Sequence, residues 1–175
     1  MDEIIQAIQQ LLKAATLTPN TNLYGIKAVL YGDPRKIPAT SLPAITVSPV
    51  RTDTLLRGSQ YDQESHTIEI RLVYNARDFY ESDTSKEIGD RVFAVQDAVK
   101  KMGKVVAGSH SVGGDSIRGI LAKNLELPLT VSGTTTNTAE TSRVISTSYP
   151  ALSNSRGFHT YEVILTLEAT TIGDR

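Results

Sequence analysis

Gly108-Ser109-His110-Ser111-Val112-Gly113-Gly114-Asp115-Ser116 is the stretch of this chain that comes nearest to a site for chemistry. Glycine-rich loops bearing hydroxyls and a histidine hold phosphates or present nucleophiles. A phosphate loop needs Gly-Lys followed by Ser or Thr, because the lysine reaches the phosphates and the hydroxyl reaches their metal; no such run occurs here. Gly114-Asp115-Ser116-Ile117-Arg118 differs from a nucleophile elbow at its last position. Arg118 stands where the strained strand-to-helix turn requires glycine. The segment therefore reads as a turn.

The other reactive side chains are no better arranged. The three histidines, His66, His110 and His159, do not pair at metal-ligand spacing. His66 and His159 each open a predicted long strand and meet only if those strands are neighbours; they read as ordinary edge histidines. Asp33, Asp53, Asp62 and Glu64 supply carboxylates, with no spacing that imposes general acid–base geometry. Arg71, Tyr74, Arg77, Phe79 and Tyr80 come nearest to the basic-aromatic interleaving of a single-strand nucleic-acid platform. Tyr74, however, falls on the apolar side of its strand.

The bulk numbers narrow the classes further. A chain of 175 residues is long enough for one domain with a real core. With 39% hydrophobic and 21% charged residues it has an ordinary globular composition. A formal net charge of -1 gives no overall field to recruit nucleic acid or an anionic membrane. The absence of cysteine excludes disulfides, thiolate metal sites and a cysteine nucleophile. No apolar run approaches the roughly 18 residues of a membrane span. Asp2 and Glu3 at the start are unlike the basic opening of a signal peptide. The expectation is a soluble protein, cytosolic at synthesis, with no cofactor.

Residues 2–15 are predicted as a helix, with Ile4, Ile5, Ile8, Leu11, Leu12 and Ala15 on one face and Asp2 and Glu3 at the dipole's positive end. Pro19 stops it. Residues 23–31 alternate loosely, enough for a strand, and enter the turn Tyr31-Gly32-Asp33-Pro34. A short apolar strand follows at 42–47, with Pro43 marking its start or a sheet edge. Residues 48–65 read as a long polar loop. Residues 66–75 are the clearest strand: Ile68, Ile70, Leu72 and Tyr74 face one way, and Thr67, Glu69, Arg71 and Val73 the other.

Residues 75–82 are a second polar break. A second amphipathic helix is predicted over 83–102, capped by Ser82 or Asp83 and closed by Gly103. Residues 116–129 suit either a strand or a short helix. Residues 130–156 form a Ser/Thr-rich loop or hairpin extension, whose removal over 133–154 is expected to spare the fold. A last strand spans 158–170, with Tyr161, Val163, Leu165, Leu167 and Ala169 on one face. The fold class expected is α+β: one domain over residues 1–175, with two principal helices packed on a mixed, mostly antiparallel sheet and long loops.

This order resembles the tail terminator (tail-completion) proteins of long-tailed bacteriophages. The resemblance is carried by the first helix through Leu12, the Tyr31-Gly32-Asp33-Pro34 turn with Ile37-Pro38, and Leu42-Pro43-Ala44-Ile45-Thr46-Val47. The 66–75 strand, the helix from Asp83 and the late strand complete it. These are soft patterns covering most of the chain, and residues 131–156 have no place in them.

The resemblance implies a structural virion protein of the tail or neck, made in the host cytoplasm, and not an enzyme. Six copies would close a ring on the head-proximal end of the tail tube, stop tube polymerisation and present the surface that joins the head. Its partners would be itself, the tail tube protein and head–tail connector or neck proteins; DNA would pass through the lumen without sequence readout. On that basis the candidate assembly-interface residues, all in expected loops, are Asp33, Arg35, Lys36, Arg51, Arg57, Asp62, Arg143 and Arg156. The alternatives are another neck or tail component (head-completion, connector or tube protein) and a nucleic-acid-binding module.

Overall fold

The computed structural model describes residues 1–19, 21–32, 37–57, 61–75, 98–103, 116–131, 134–148 and 160–174. Helix α1 (Asp2–Leu17) forms where the sequence places it. Ile4, Ile5, Ile8 and Leu12 are buried on its inner face, and Leu11 and Ala15 pack beside them. Each such side chain contributes about 1.5–3 kcal/mol by leaving water. The helix end is held by threonines, since the last carbonyls have no helical partner. Thr16 Oγ1 donates to Lys13 O at 2.8 Å, Thr18 Oγ1 to Ala14 O at 3.0 Å and Thr21 Oγ1 to Ala15 O at 2.8 Å.

The strands are β1 (Ala28–Tyr31), β2 (Ala44–Arg57), β3 (Tyr61–Asn75), β4 (Glu126–Val131), β5 (Thr134–Ser148) and β6 (Thr160–Asp174). A short helix, α2 (Ile117–Lys123), precedes β4. The strands make one six-stranded sheet in the order β1-β2-β3-β6-β5-β4. Only β1 and β2 run parallel; every other neighbouring pair is antiparallel. The fold is thus the expected α+β domain on a mixed sheet.

One face of the sheet carries the core. Ile45 and Val47 of β2 lie beside Ile68, Ile70, Leu72 and Tyr74 of β3 and Val163, Leu165 and Leu167 of β6. α1 lies against β1, β2 and β4 on this side, and α2 touches α1 and β5. A second, smaller cluster (Ile37, Leu42, Ala44 and Val73) covers the back of the sheet at the β1–β2–β3 corner. The turn at Ala39–Ser41 brings it there. Val73 breaks the polar side of β3 for this reason: its end of that face is covered.

Four expectations change. Of the loop expected over 48–65, residues 48–57 and 61–65 are strand, paired from Thr52↔His66 out to Arg57↔Tyr61. Their sequence lacks an apolar face because residues 51–54 are exposed, so no alternation signals the strand. The strand expected over 23–31 shortens to Ala28–Tyr31, with turns before it. Residues 116–129 are helix and then strand, not one element. Most of the Ser/Thr-rich stretch is β5, paired with β4 on one side and β6 on the other. Thr and Val fit a pleated surface by their branched Cβ, and ladder hydrogen bonds do the rest.

Of the second helix predicted over 83–102, only residues 98–102 lie among the described residues, and they are helical. Gly103 closes them as expected: its N–H donates to Val99 O at 3.0 Å, with φ at +135°. A Cβ there would lie 2.6 Å from Arg118 Cβ, so the closure also packs this turn against α2.

Candidate assembly surface

Among the described residues, Ser116, Tyr74, His66 and Arg71 hold elements of the fold together. Ser116, the centre of the near-elbow, is 1% exposed and caps α2, its Oγ accepting from Gly119 N at 3.1 Å. Residues 104–115, with His110, lie outside the described residues. Among the described residues no group of three or more His, Asp or Glu gathers as a metal site, and no helix is long and apolar enough to cross a membrane. Tyr74 is buried in the core, with Lys101 Nζ 5.9 Å from its ring centroid, and so offers no face to a base. Arg77, Phe79 and Tyr80 lie outside the described residues.

His66 sits where the hairpin leaves the core. It is 1% exposed, with Nδ1 3.0 Å from Thr52 Oγ1 on β2 and Nε2 3.1 Å from Thr171 Oγ1 on β6. Glu64 Oε2 is 3.4 Å from Nε2. The imidazole thus ties three strands together. Burial pushes its pKa below the ordinary 6.5, the positive amino terminus adds to this, and Glu64 opposes it. The antiparallel register puts Thr160 opposite Asn75 and Ala169 opposite His66. The two strand starts therefore stand at opposite ends of the β3–β6 pair; His159 lies outside the described residues.

The back of the same strands carries a charged row. Arg71 lies between Glu69, which its Nε contacts, and Glu162, whose Oε2 is 3.1 Å from Nη1. The hydrogen bond to Glu69 leads in holding the guanidinium pKa above its usual range, with the charges of both carboxylates adding to it. Ser65 Oγ donates to Glu168 across the same strand pair. Sequence reading placed Glu69 and Arg71 on the wetter face but missed Glu162 as their partner. The missing signal is register: only the Val73↔Glu162 and Arg71↔Ile164 pairing brings Glu162 alongside.

The candidate interface residues divide sharply. Arg51 lies on β2 and pairs with Asp53 at 2.9 Å, both side chains exposed. Such a pair contributes about 0–1 kcal/mol and stays available to a partner. Arg57 and Asp62 are on paired strands at the hairpin tip, and Arg143 is on β5, so none of the three is on a loop. Asp33, Arg35, Lys36 and Arg156 lie outside the described residues. Gly32, just before the first three, has a φ of +98° that favours glycine. Gly32 N donates to Val47 O at 3.2 Å, and Gly32 O accepts from Ser48 Oγ at 2.7 Å. The structure brings Arg51, Arg57 and Asp62 together on one arm and leaves Arg143 across the sheet.

The arm's outward backbone is the main feature of this surface. β1 pairs with β2 only over Ala44–Val47. Beyond it, among the described residues, nothing pairs with the outer side of β2, and Val50 is 57% exposed. No protein-family model matches this chain, and no curated protein matches it.

Proposed function

We propose that this protein is a tail terminator: six copies close a ring on the head-proximal end of a bacteriophage tail tube, stop tube growth and offer the joining surface for the head. The observation that carries the reading is the β2–β3 arm. It is a hairpin with an exposed outer row at 51–54 and, among the described residues, no partner on the outer side of β2 beyond Val47, on a sheet with one face packed by helices. A catalytic domain gathers polar groups in a cavity; this one uses Ser116, His66 and Arg71 to hold elements together. The order of elements from α1 to β6 supports the same reading through the resemblance stated above.

The test is the solution mass by light scattering, followed by electron microscopy with isolated tail tubes. The expected result is a ring, or a monomer that becomes a ring on tube ends. A monomer that ignores tubes overturns the reading.

A further inference from the structure

Two strands of the sheet are paired on one side only over their C-terminal halves. β2 is flanked by β1 up to Val47, and residues 48–57 then run on with no described partner on that side. β5 is flanked by β4 over Thr134–Glu140, and residues 141–148 run on in the same way. These stretches lie toward opposite edges of one sheet. At about 3.3 Å per residue each is some 25–33 Å long. Ladder groups left over that length without a partner among the described residues are a template for another strand.

The polarity of the two stretches matches. β2 is antiparallel to β3, β3 to β6 and β6 to β5, so β2 and β5 run in opposite directions. A second copy set beside the first without turning in the sheet plane brings its β2 antiparallel to the first copy's β5. Laying 48–57 against 141–148 in that sense puts the second copy's β1 beyond Ser148 and the first copy's β4 beyond Arg57. Each short edge strand then clears the other copy, so the two steps in the sheet outline fit together.

Pro49 leaves this edge one donor short, so the pairing inferred below is carried by the residues beyond it. Val47 O accepts from Gly32 N on the β1 side, and backbone groups alternate sides along a strand, so Pro49 also faces the open side. Its missing N–H takes nothing from the β3 ladder. The bulge between Pro49 and Arg51 then resets the alternation for the free edge beyond.

We infer that copies of this chain join head to tail by antiparallel pairing of residues 48–57 of one copy with 141–148 of the next, staggered along the strands. One interface repeated in this way satisfies both open edges. It is heterologous, the type that closes rings, and a stagger between neighbours is what closing a continuous sheet requires. The inference rests on the ring reading and names the contact that builds the ring.

The chain has no cysteine, so paired cysteines report the contact without background. Exposed positions serve on both strands: Arg51→Cys or Asp53→Cys on β2 with Ser146→Cys or Ser148→Cys on β5. Under mild oxidation a double variant is expected to give a ladder of covalent oligomers. A mixture of the two single variants is expected to stop at a dimer, and each single variant alone to stay monomeric. Hydrogen exchange on the unaltered protein checks the same point, with amides of 48–57 and 141–148 gaining at least tenfold protection on assembly. Covalent dimers from a β2 cysteine alone would overturn the head-to-tail contact in favour of a two-fold one. Rings without any cross-link or added protection would overturn edge pairing and leave the ring reading standing. A chain that stays monomeric with and without tubes overturns both.

Discussion

His66 shows how one residue couples burial to pH. The unfolded imidazole titrates near 6.5, and burial lowers this value in the fold. Between the two values the unfolded chain binds more protons, so stability rises with pH across that window and levels off above it. Stability measured by urea from pH 7.5 down to 5.5, above the carboxylate range, is expected to fall in the protein relative to His66→Gln. Parallel profiles would show that the imidazole binds its proton equally in both states, and would overturn the lowered value. None of this was legible in sequence, where His66 read as an ordinary edge histidine. Its partners Thr52 and Thr171 are brought to it by register alone.

At the scale of the element, α1 was the most legible part of the chain. Its apolar residues recur at 3.6-residue spacing, and that face is the one buried. Ile8→Ala is expected to cost about 2–5 kcal/mol, since the cavity adds to the lost transfer energy. Leu17→Ala, at a side chain 72% exposed, is expected to change stability by less than about 0.5 kcal/mol. Urea midpoints of the two variants check the contrast, and equal losses would mean that α1 packs by another face. β3 and β6 were equally readable where they cross the core. Their outer ends, and all of β5, were not, because strands without one apolar side carry no period-two signal.

For the whole molecule, the sheet order decides what can be removed. The stretch 133–154 looked dispensable while it read as a loop. It contains β5, which links β4 to β6 and so to the rest of the sheet. Its deletion is therefore expected to abolish cooperative unfolding of the monomer, seen as a lost thermal transition by circular dichroism. A deletion variant that still melts cooperatively would mean that β4 and β5 form an independent annex. The reason is in the register: β5 carries β4 on Thr134–Glu140 and joins β6 on Glu140–Ser148, so its removal breaks both pairings at once.

The sequence by itself determined the class of this protein and the identity of its core. Periodicity reports which side chains leave water, and Ile4, Ile5, Ile8, Ile68, Ile70, Leu72, Val163, Leu165 and Leu167 are buried as their spacing demands. Tertiary structure alone decided the pairing. The parallel β1–β2 contact, the partners of His66 and Arg71, and the order of β6, β5 and β4 all depend on backbone hydrogen bonds between residues far apart in the chain. Every residue but proline brings the same donor and acceptor to those bonds, so residue types carry almost no record of which strands meet.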